Sequence, residues 1–303
     1  MLKRLVKCAR YHLRPVRATY EGLLGRVALK ELEHQLENSV PQKAHGLDQE
    51  LIISLTSYRP RFSTLKYTLQ ALLGQSVKAD RIILWLSFED EKYLSDDISV
   101  LKDQGLEIRV TDDIRSYKKI IAALENFPDA VIVTADDDIF YRQNWLEHLV
   151  DAWDGDNRHI VAHKVRKVLL DKEGNPLQYN NWQWSVKNAE QGQYLFPVGY
   201  GGVLYPPGAL MRPEVFNKEM FTSLAPNADD LWLYFMGKLS GCKYSSTGYQ
   251  DNFVEWPKSQ NVSLTSLNSA QSQNDKQIRR LICLLYTSTS PRDQRGSRMP
   301  SSA

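Results

Sequence analysis

The side chains in this 303-residue chain best suited to chemistry are acidic and stand in two groups, Asp136-Asp137-Asp138 and Asp229-Asp230. Three crowded carboxylates repel one another, and their ionised forms need a cation or hydrogen-bond donors close by. A hard divalent ion such as Mg2+ or Mn2+ takes one or two carboxylates and completes its shell with phosphate oxygens and water. Asp136 and Asp138, one residue apart, suit that role; a solvated acidic turn is the plain alternative, and the buried apolar run directly before the triplet weighs against it. Asp229-Asp230 open a helical pattern, where the macrodipole favours acids. Further polar groups surround them in sequence: Ser57-Tyr58-Arg59-Pro60-Arg61, Asp112–Lys119 with its cations at a helix start, and the glycine-rich stretch Gly199–Gly208.

The elements that must position these groups alternate. Leu51–Leu55, Arg81–Leu86, Glu107–Val110 and Ala130–Thr134 are short branched-apolar runs that read as buried strands. Between them, Leu65, Leu69, Leu72 and Leu73, after a Ser63 or Thr64 cap, and then Ile120, Ile121, Leu124 and Phe127 fall at helical spacing. This order predicts βαβ units, a parallel sheet with helices on both faces, and ligands outside the carboxyl ends of the strands, where the triplet stands. Further on, Trp145–Trp153 and Leu231–Leu239 read as helices. His159–Leu170 and Leu177–Tyr179 read as a hairpin around the turn Asp171–Asn175.

Composition narrows the function classes. A chain with 42% hydrophobic and 24% charged residues folds, and a net charge of +2 gives no sign of nucleic-acid binding. That total conceals a polarity: residues 1–30 carry eight bases against one acid, residues 287–303 carry three against one, and the body between is acidic. Leu2, Leu5, Val6 and Leu13 lie among the N-terminal bases, as in a cationic helix resting on an anionic membrane; a solvated basic arm uses the same residues. Residues 31–50 read as a connector. Cys8, Cys242 and Cys283 show neither disulfide nor zinc spacing, and no apolar run reaches the roughly 20 residues of a membrane span. The chain is expected in the cytoplasm, at most peripheral on the inner face of the membrane. Residues 287–303 resemble a translated sequencing-adapter peptide, which would make 283–303 a non-native tail.

The ordered set Leu55–Arg61, Asp113–Lys119, Thr134–Asp138, Gly201–Gly208, Ala228–Asp230 and Asn274–Gln277 resembles the bacterial family 2-like glycosyltransferases of the GT-A fold, found in polysaccharide and lipopolysaccharide biosynthesis. The resemblance implies an α/β, Rossmann-like, mostly parallel sheet flanked by helices, as one catalytic domain over residues 49–282 after an arm and connector at 1–48. It makes Asp136 and Asp138 the DxD pair that holds Mn2+ or Mg2+ against a nucleotide-diphosphate sugar. It makes Asp229-Asp230 the source of the catalytic base, assigned to Asp230, for an inverting transfer to a glycan or lipid-linked acceptor. Thr56, Tyr58, Arg59, Asp113 and Asp137 fall on the donor side. Lys118 is read as a contact for phosphate or Asp136, and Lys119 as a helix-surface charge. Gly201, Gly202 and Trp182 fall on the acceptor side, with Trp184 a second aromatic platform. Asp275 and Lys276 are read as closing over the diphosphate, and His163 as either a substrate contact or a structural histidine. Two other readings stay open. A nucleotidyltransferase uses similar acids and metal but normally carries a Gly-rich phosphate loop near its first strand; a carbohydrate-binding module has no need of two acidic sites.

Overall fold

Continuous runs of branched apolar residues bury both faces of a strand, and such strands dominate the middle of the sheet. The computed structural model describes residues 14–38, 41–184, 186, 188–257 and 273–288. Its strands are β1 (Lys43–Ala44), β2 (Leu51–Thr56), β3 (Val77–Lys78), β4 (Arg81–Ser87), β5 (Leu106–Thr111), β6 (Val131–Ala135), β7 (His159–Ala162), β8 (Val165–Lys167), β9 (Glu190–Gly192), β10 (Leu195–Pro197), β11 (Val203–Tyr205) and β12 (Lys243–Ser246). Its helices are α1 (Arg14–Glu37), α2 (Phe62–Leu73), α3 (Phe88–Glu91), α4 (Asp96–Ser99), α5 (Lys118–Asn126), α6 (Trp145–Ala152), α7 (Lys218–Leu224), α8 (Asp229–Leu239) and α9 (Gln273–Ser288).

Eight strands form one sheet in the order β5-β4-β2-β6-β11-β7-β12-β9. The first four run parallel, with Ile53 opposite Ile82 on one side and Val133 on the other. Then β11 enters antiparallel between β6 and β7, β12 pairs parallel with β7, and β9 closes the edge antiparallel. Two-residue alternation divides the core. Leu51, Ile53 and Leu55 of β2 face Leu65, Leu69 and Leu72 of α2 and Leu146 of α6. Ile52 faces the other way, toward Ile120, Ile121 and Leu124 of α5 and Leu231 and Trp232 of α8. The α/β sheet flanked by helices is as the βαβ pattern predicts.

The structure differs from the sequence reading in four places. Helix α2 starts at Phe62 with no side-chain cap, so Ser63 and Thr64 lie inside its first turn. The segment after His159 is not one hairpin arm: β7 joins the main sheet, while β8 turns away to pair with β10, leaving a Leu170–Pro176 bridge around the expected turn. The connector is helical as far as Glu37, and α1 docks through Ala28 and Leu32 onto Phe140 and Trp256. At the other end α9 runs past residue 283 to Ser288 and buries Ile278 and Leu281 in the core. Residues 1–13 of the basic arm and 289–303 of the tail lie outside the described residues. No helix among the described residues is long and apolar enough to cross a membrane.

Candidate active site

The acidic triplet leaves the end of β6, and hydrogen bonds fix each part of it. The Tyr141 hydroxyl accepts from the Asp136 amide at 2.8 Å and donates to the Tyr200 carbonyl at 2.9 Å. The Ser57 hydroxyl, just past β2, donates to Asp137 Oδ2 at 2.5 Å, and Arg61 binds Asp137 Oδ1 at 3.1 Å. Arg61 also ion-pairs with Asp138. Burial and the neighbouring Asp138 charge push the Asp137 carboxyl up to about 7, against the pull of Arg61 and Ser57. Asp138 moves up for similar reasons, burial first.

The second acid cluster is brought to the first by Lys119. Its ammonium lies 2.6 Å from Asp136 Oδ1 and 3.3 Å from Asp229 Oδ2, on a side chain only 6% exposed. Burial alone lowers a lysine pKa, yet Asp136, Asp229 and Asp230 outweigh it and hold Lys119 well above its ordinary value. The position is built from below: Ser54, in the middle of β2, donates its hydroxyl to the Lys119 carbonyl and accepts from the Trp85 indole at 3.0 Å. Tyr117 Oη donates to Ala225 O at 2.7 Å and its ring stacks on Phe221 at 4.2 Å, while Arg115 reaches Asn227 Oδ1 at 2.7 Å. The starts of α5 and α8 are thereby clamped together.

Asp229 and Asp230 are not equivalent. Asp229 is buried against Lys119, whereas Asp230 is partly exposed and its Oδ2 accepts from the Gly199 amide at 3.0 Å. Burial and then the charge of Asp229 push the Asp230 carboxyl up to about 7, opposed by Lys119. The carboxylate with an accessible edge and a pKa near neutrality has the properties of a general base.

Five carboxylates therefore gather where Arg61 and Lys119 supply the ion pairs, and the surplus negative charge favours a cation. The donors are hard oxygens, although no group of three or more His, Cys, Asp or Glu side chains among the described residues could by itself hold a metal ion. Asp136 and Asp138 accordingly fit Mg2+ or Mn2+, which share their shell with phosphate and water.

The remaining expected residues fall in several places. Thr56 ends β2 with its hydroxyl on Trp85 O at 2.7 Å, and Tyr58 follows it in extended backbone. Arg59 is exposed, its amide on Asp90 and its guanidinium 3.8 Å from the Tyr93 ring centre, so it is Arg61 that reaches the triplet. Asp113 and Lys118 bind each other at 2.7 Å. Lys118 therefore does not contact Asp136; that contact belongs to Lys119, which is no surface charge. Gly202 has a left-handed φ of 97°, and a Cβ there would come within 2.4 Å of the Trp145 ring; a Cβ on Gly201 would meet Lys164 at 2.7 Å. Close packing thus explains both glycines without a ligand. Trp182, read as an acceptor platform, is 2% exposed and packs on Phe196, with its indole N–H on Leu177 O; it has no open face, whereas Trp184 is 63% exposed. His163 is structural, its ring between Thr247 and Trp145 O. Asp275 accepts from the Tyr179 amide at 2.7 Å and so ties α9 to the loop before Trp182, and Lys276 is exposed.

With this geometry in hand, known proteins can be set beside the chain. The sequence profile described as "Glycosyl transferase family 2" matches residues 56–219. No curated protein matches the sequence. Among solved structures, HddC from Yersinia pseudotuberculosis complexed with GMP-PN is 12% identical, with a TM-score of 0.34 over 53% of this chain and 78% of that one. GalNAc-T7 with UDP, GalNAc and Mn2+ is 11% identical, with a TM-score of 0.42 over 66% of this chain and 42% of that one.

Proposed function

The chain belongs to glycosyl transferase family 2, and from that premise we propose a metal-dependent, inverting transfer of a sugar from a nucleotide-diphosphate donor to a hydroxyl of a glycan or glycolipid. The observation that carries this reading is the joining of two acid clusters by one buried cation, Lys119 between Asp136 and Asp229. A binding module needs no second acid cluster held at a fixed spacing from the first.

Asp136 and Asp138 would hold Mn2+ or Mg2+, whose Lewis acidity offsets negative charge on the departing diphosphate. Thr56, Tyr58 and Asp137, at the ends of β2 and β6, line the donor side, with Arg59, Asp113 and Lys118 at its rim. Asp230 accepts the proton of the acceptor hydroxyl as that oxygen bonds to the anomeric carbon and the bond from that carbon to the diphosphate oxygen breaks. One such displacement inverts the anomeric centre. Asp229 stays paired with Lys119 and keeps the base at a fixed spacing from the donor cluster. The pathway is the bacterial polysaccharide or lipopolysaccharide synthesis that the sequence resembles. A peripheral membrane contact through α1 is supported by exposed Leu23 and Val27 beside Arg26 and Lys30.

The test is a panel of nucleotide sugars with Mn2+ or Mg2+, scored by thermal stabilisation and donor hydrolysis. At least one donor should stabilise the wild type only with metal, and Asp138→Asn should lose that shift. A folded protein that responds to no nucleotide diphosphate sinks the reading.

A further inference from the structure

Arg166 of β8 is more than nine-tenths buried, yet its guanidinium makes no hydrogen bond and no ion pair with any described residue, and its buried Nη1 has no partner. Its Cζ lies 3.4 Å from the centre of the Trp184 ring and 4.3 Å from that of Tyr179. The two rings stabilise the cation through their faces but leave the in-plane Nη1 donors unanswered. Those donors are the edge with which arginine grips carboxylate or phosphate in bidentate fashion. The charged or ionisable groups that act on it are Tyr179, Tyr200 and Asp230, none of them bonded to it. A buried guanidinium nitrogen without an acceptor is costly, and an anion that reached Nη1 would answer it.

The position bears on what carries the anion. Arg166 pairs with Phe196 across β8 and β10, and three residues of chain later Gly199 donates its amide to Asp230. The Asp230 charge also acts on the Arg166 guanidinium, so the two groups are near enough for one sugar bearing a charged substituent to meet both. We propose that Arg166, set against Tyr179 and Trp184, is the acceptor subsite for an oxyanion, a carboxylate or phosphate ester carried by the sugar whose hydroxyl faces Asp230. The subsite's role in the reaction rests on the transferase reading above; its binding of an anion does not.

The probes are glucose 6-phosphate, glucuronate, inorganic phosphate and neutral glucose, added to the full chain in a chelator with no nucleotide, and followed by thermal melting and calorimetry. Glucose 6-phosphate or glucuronate should raise the melting temperature of the wild type where glucose does not, and the one that acts separates a phosphate acceptor from an acidic-sugar acceptor. Binding of inorganic phosphate alone, without either sugar, would make this a simple anion site and overturn the acceptor assignment. Arg166→Met should melt no lower than wild type without ligand, because it removes an unanswered charge, and should lose the anion-dependent shift. Arg166→Lys, which keeps charge and fold, should bind at least tenfold more weakly. An anion shift that survives in both variants, or is absent from the wild type, overturns the proposal. A chain that binds these anions through Arg166 but transfers no sugar breaks the transferase reading alone, whereas full transfer by Arg166→Met to an anionic acceptor breaks this one alone.

Discussion

The two acid clusters share a lysine and differ in almost everything else. The triplet at the end of β6 is gripped on both flanks, by Ser57 and Arg61 on Asp137, by Arg61 on Asp138 and by Lys119 on Asp136. The pair at the start of α8 has Lys119 on Asp229 and only a backbone amide on Asp230. A carboxylate whose oxygens are held by cations and a hydroxyl is suited to binding charge, even where burial pushes it up as it does Asp137 and Asp138. A carboxylate with one neutral donor and a charged neighbour is suited to taking a proton. The difference teaches that in this site the roles are set by partners, because all five residues are chemically the same.

The sharpest way to break that contrast is Asp230→Asn. If Asp230 is the base, transfer should fall by about 10²–10⁴-fold, while metal-dependent donor binding, read by calorimetry, stays at the wild-type value. Equal loss of both would place Asp230 in the donor site and erase the distinction. Next comes the shared residue. Lys119→Met leaves Asp136, Asp229 and Asp230 facing one another without their cation, and breaking a buried ion pair costs about 3–5 kcal/mol. Denaturant unfolding at pH 7 should show a loss of that order, whereas Lys118→Met, which strands only the exposed Asp113, should cost about 1 kcal/mol or less. A smaller effect is expected at Gly199→Ala, where the added Cβ would lie 2.5 Å from Asp230 Oδ1. The base must shift, and misplacement of about 1 Å can lower the rate by on the order of a hundredfold. Unchanged kcat in that variant would show that Asp230 is not held where it reacts.

Adjacent lysines also mark how far the sequence could be read. The half of the sheet from β2 to β6 was legible because Ile82–Leu86 is apolar without interruption and Val131–Ala135 is broken only by Thr134, a pattern with few solutions. The position of the triplet at a strand end followed at once. Which of Lys118 and Lys119, both buried, reaches the triplet did not, because it depends on a serine in β2 gripping a carbonyl 65 residues away. Trp182 and Trp184 pose the same problem in irregular chain: one is core and the other surface, and no period separates them. Arg166 sits in a three-residue strand, too short for its alternation to show which face turns in. The helical stretch to Glu37 was hidden by charges on its open face, since among its described side chains Ala28 and Leu32 are buried, with Leu24 and Leu29 packed beside them. Local pattern reveals elements, while long-range contacts decide which neighbour turns in.

The mildest test concerns pH. Asp230 is pushed up to about 7, by burial first and by Asp229 next, so below that pH its carboxyl is increasingly protonated and cannot accept the acceptor proton. The sign follows: kcat/KM, which reports the free enzyme, should fall about tenfold per pH unit on the acid side and level off above neutrality. Asp230→Asn should lose this limb along with most of its rate, leaving a residual activity that is flat across the same range. The triplet offers a competing source, because burial and Asp138 push Asp137 to about 7 as well. A limb that persists in Asp230→Asn therefore belongs to the triplet, and the assignment of proton transfer to one cluster and charge binding to the other would have to be exchanged.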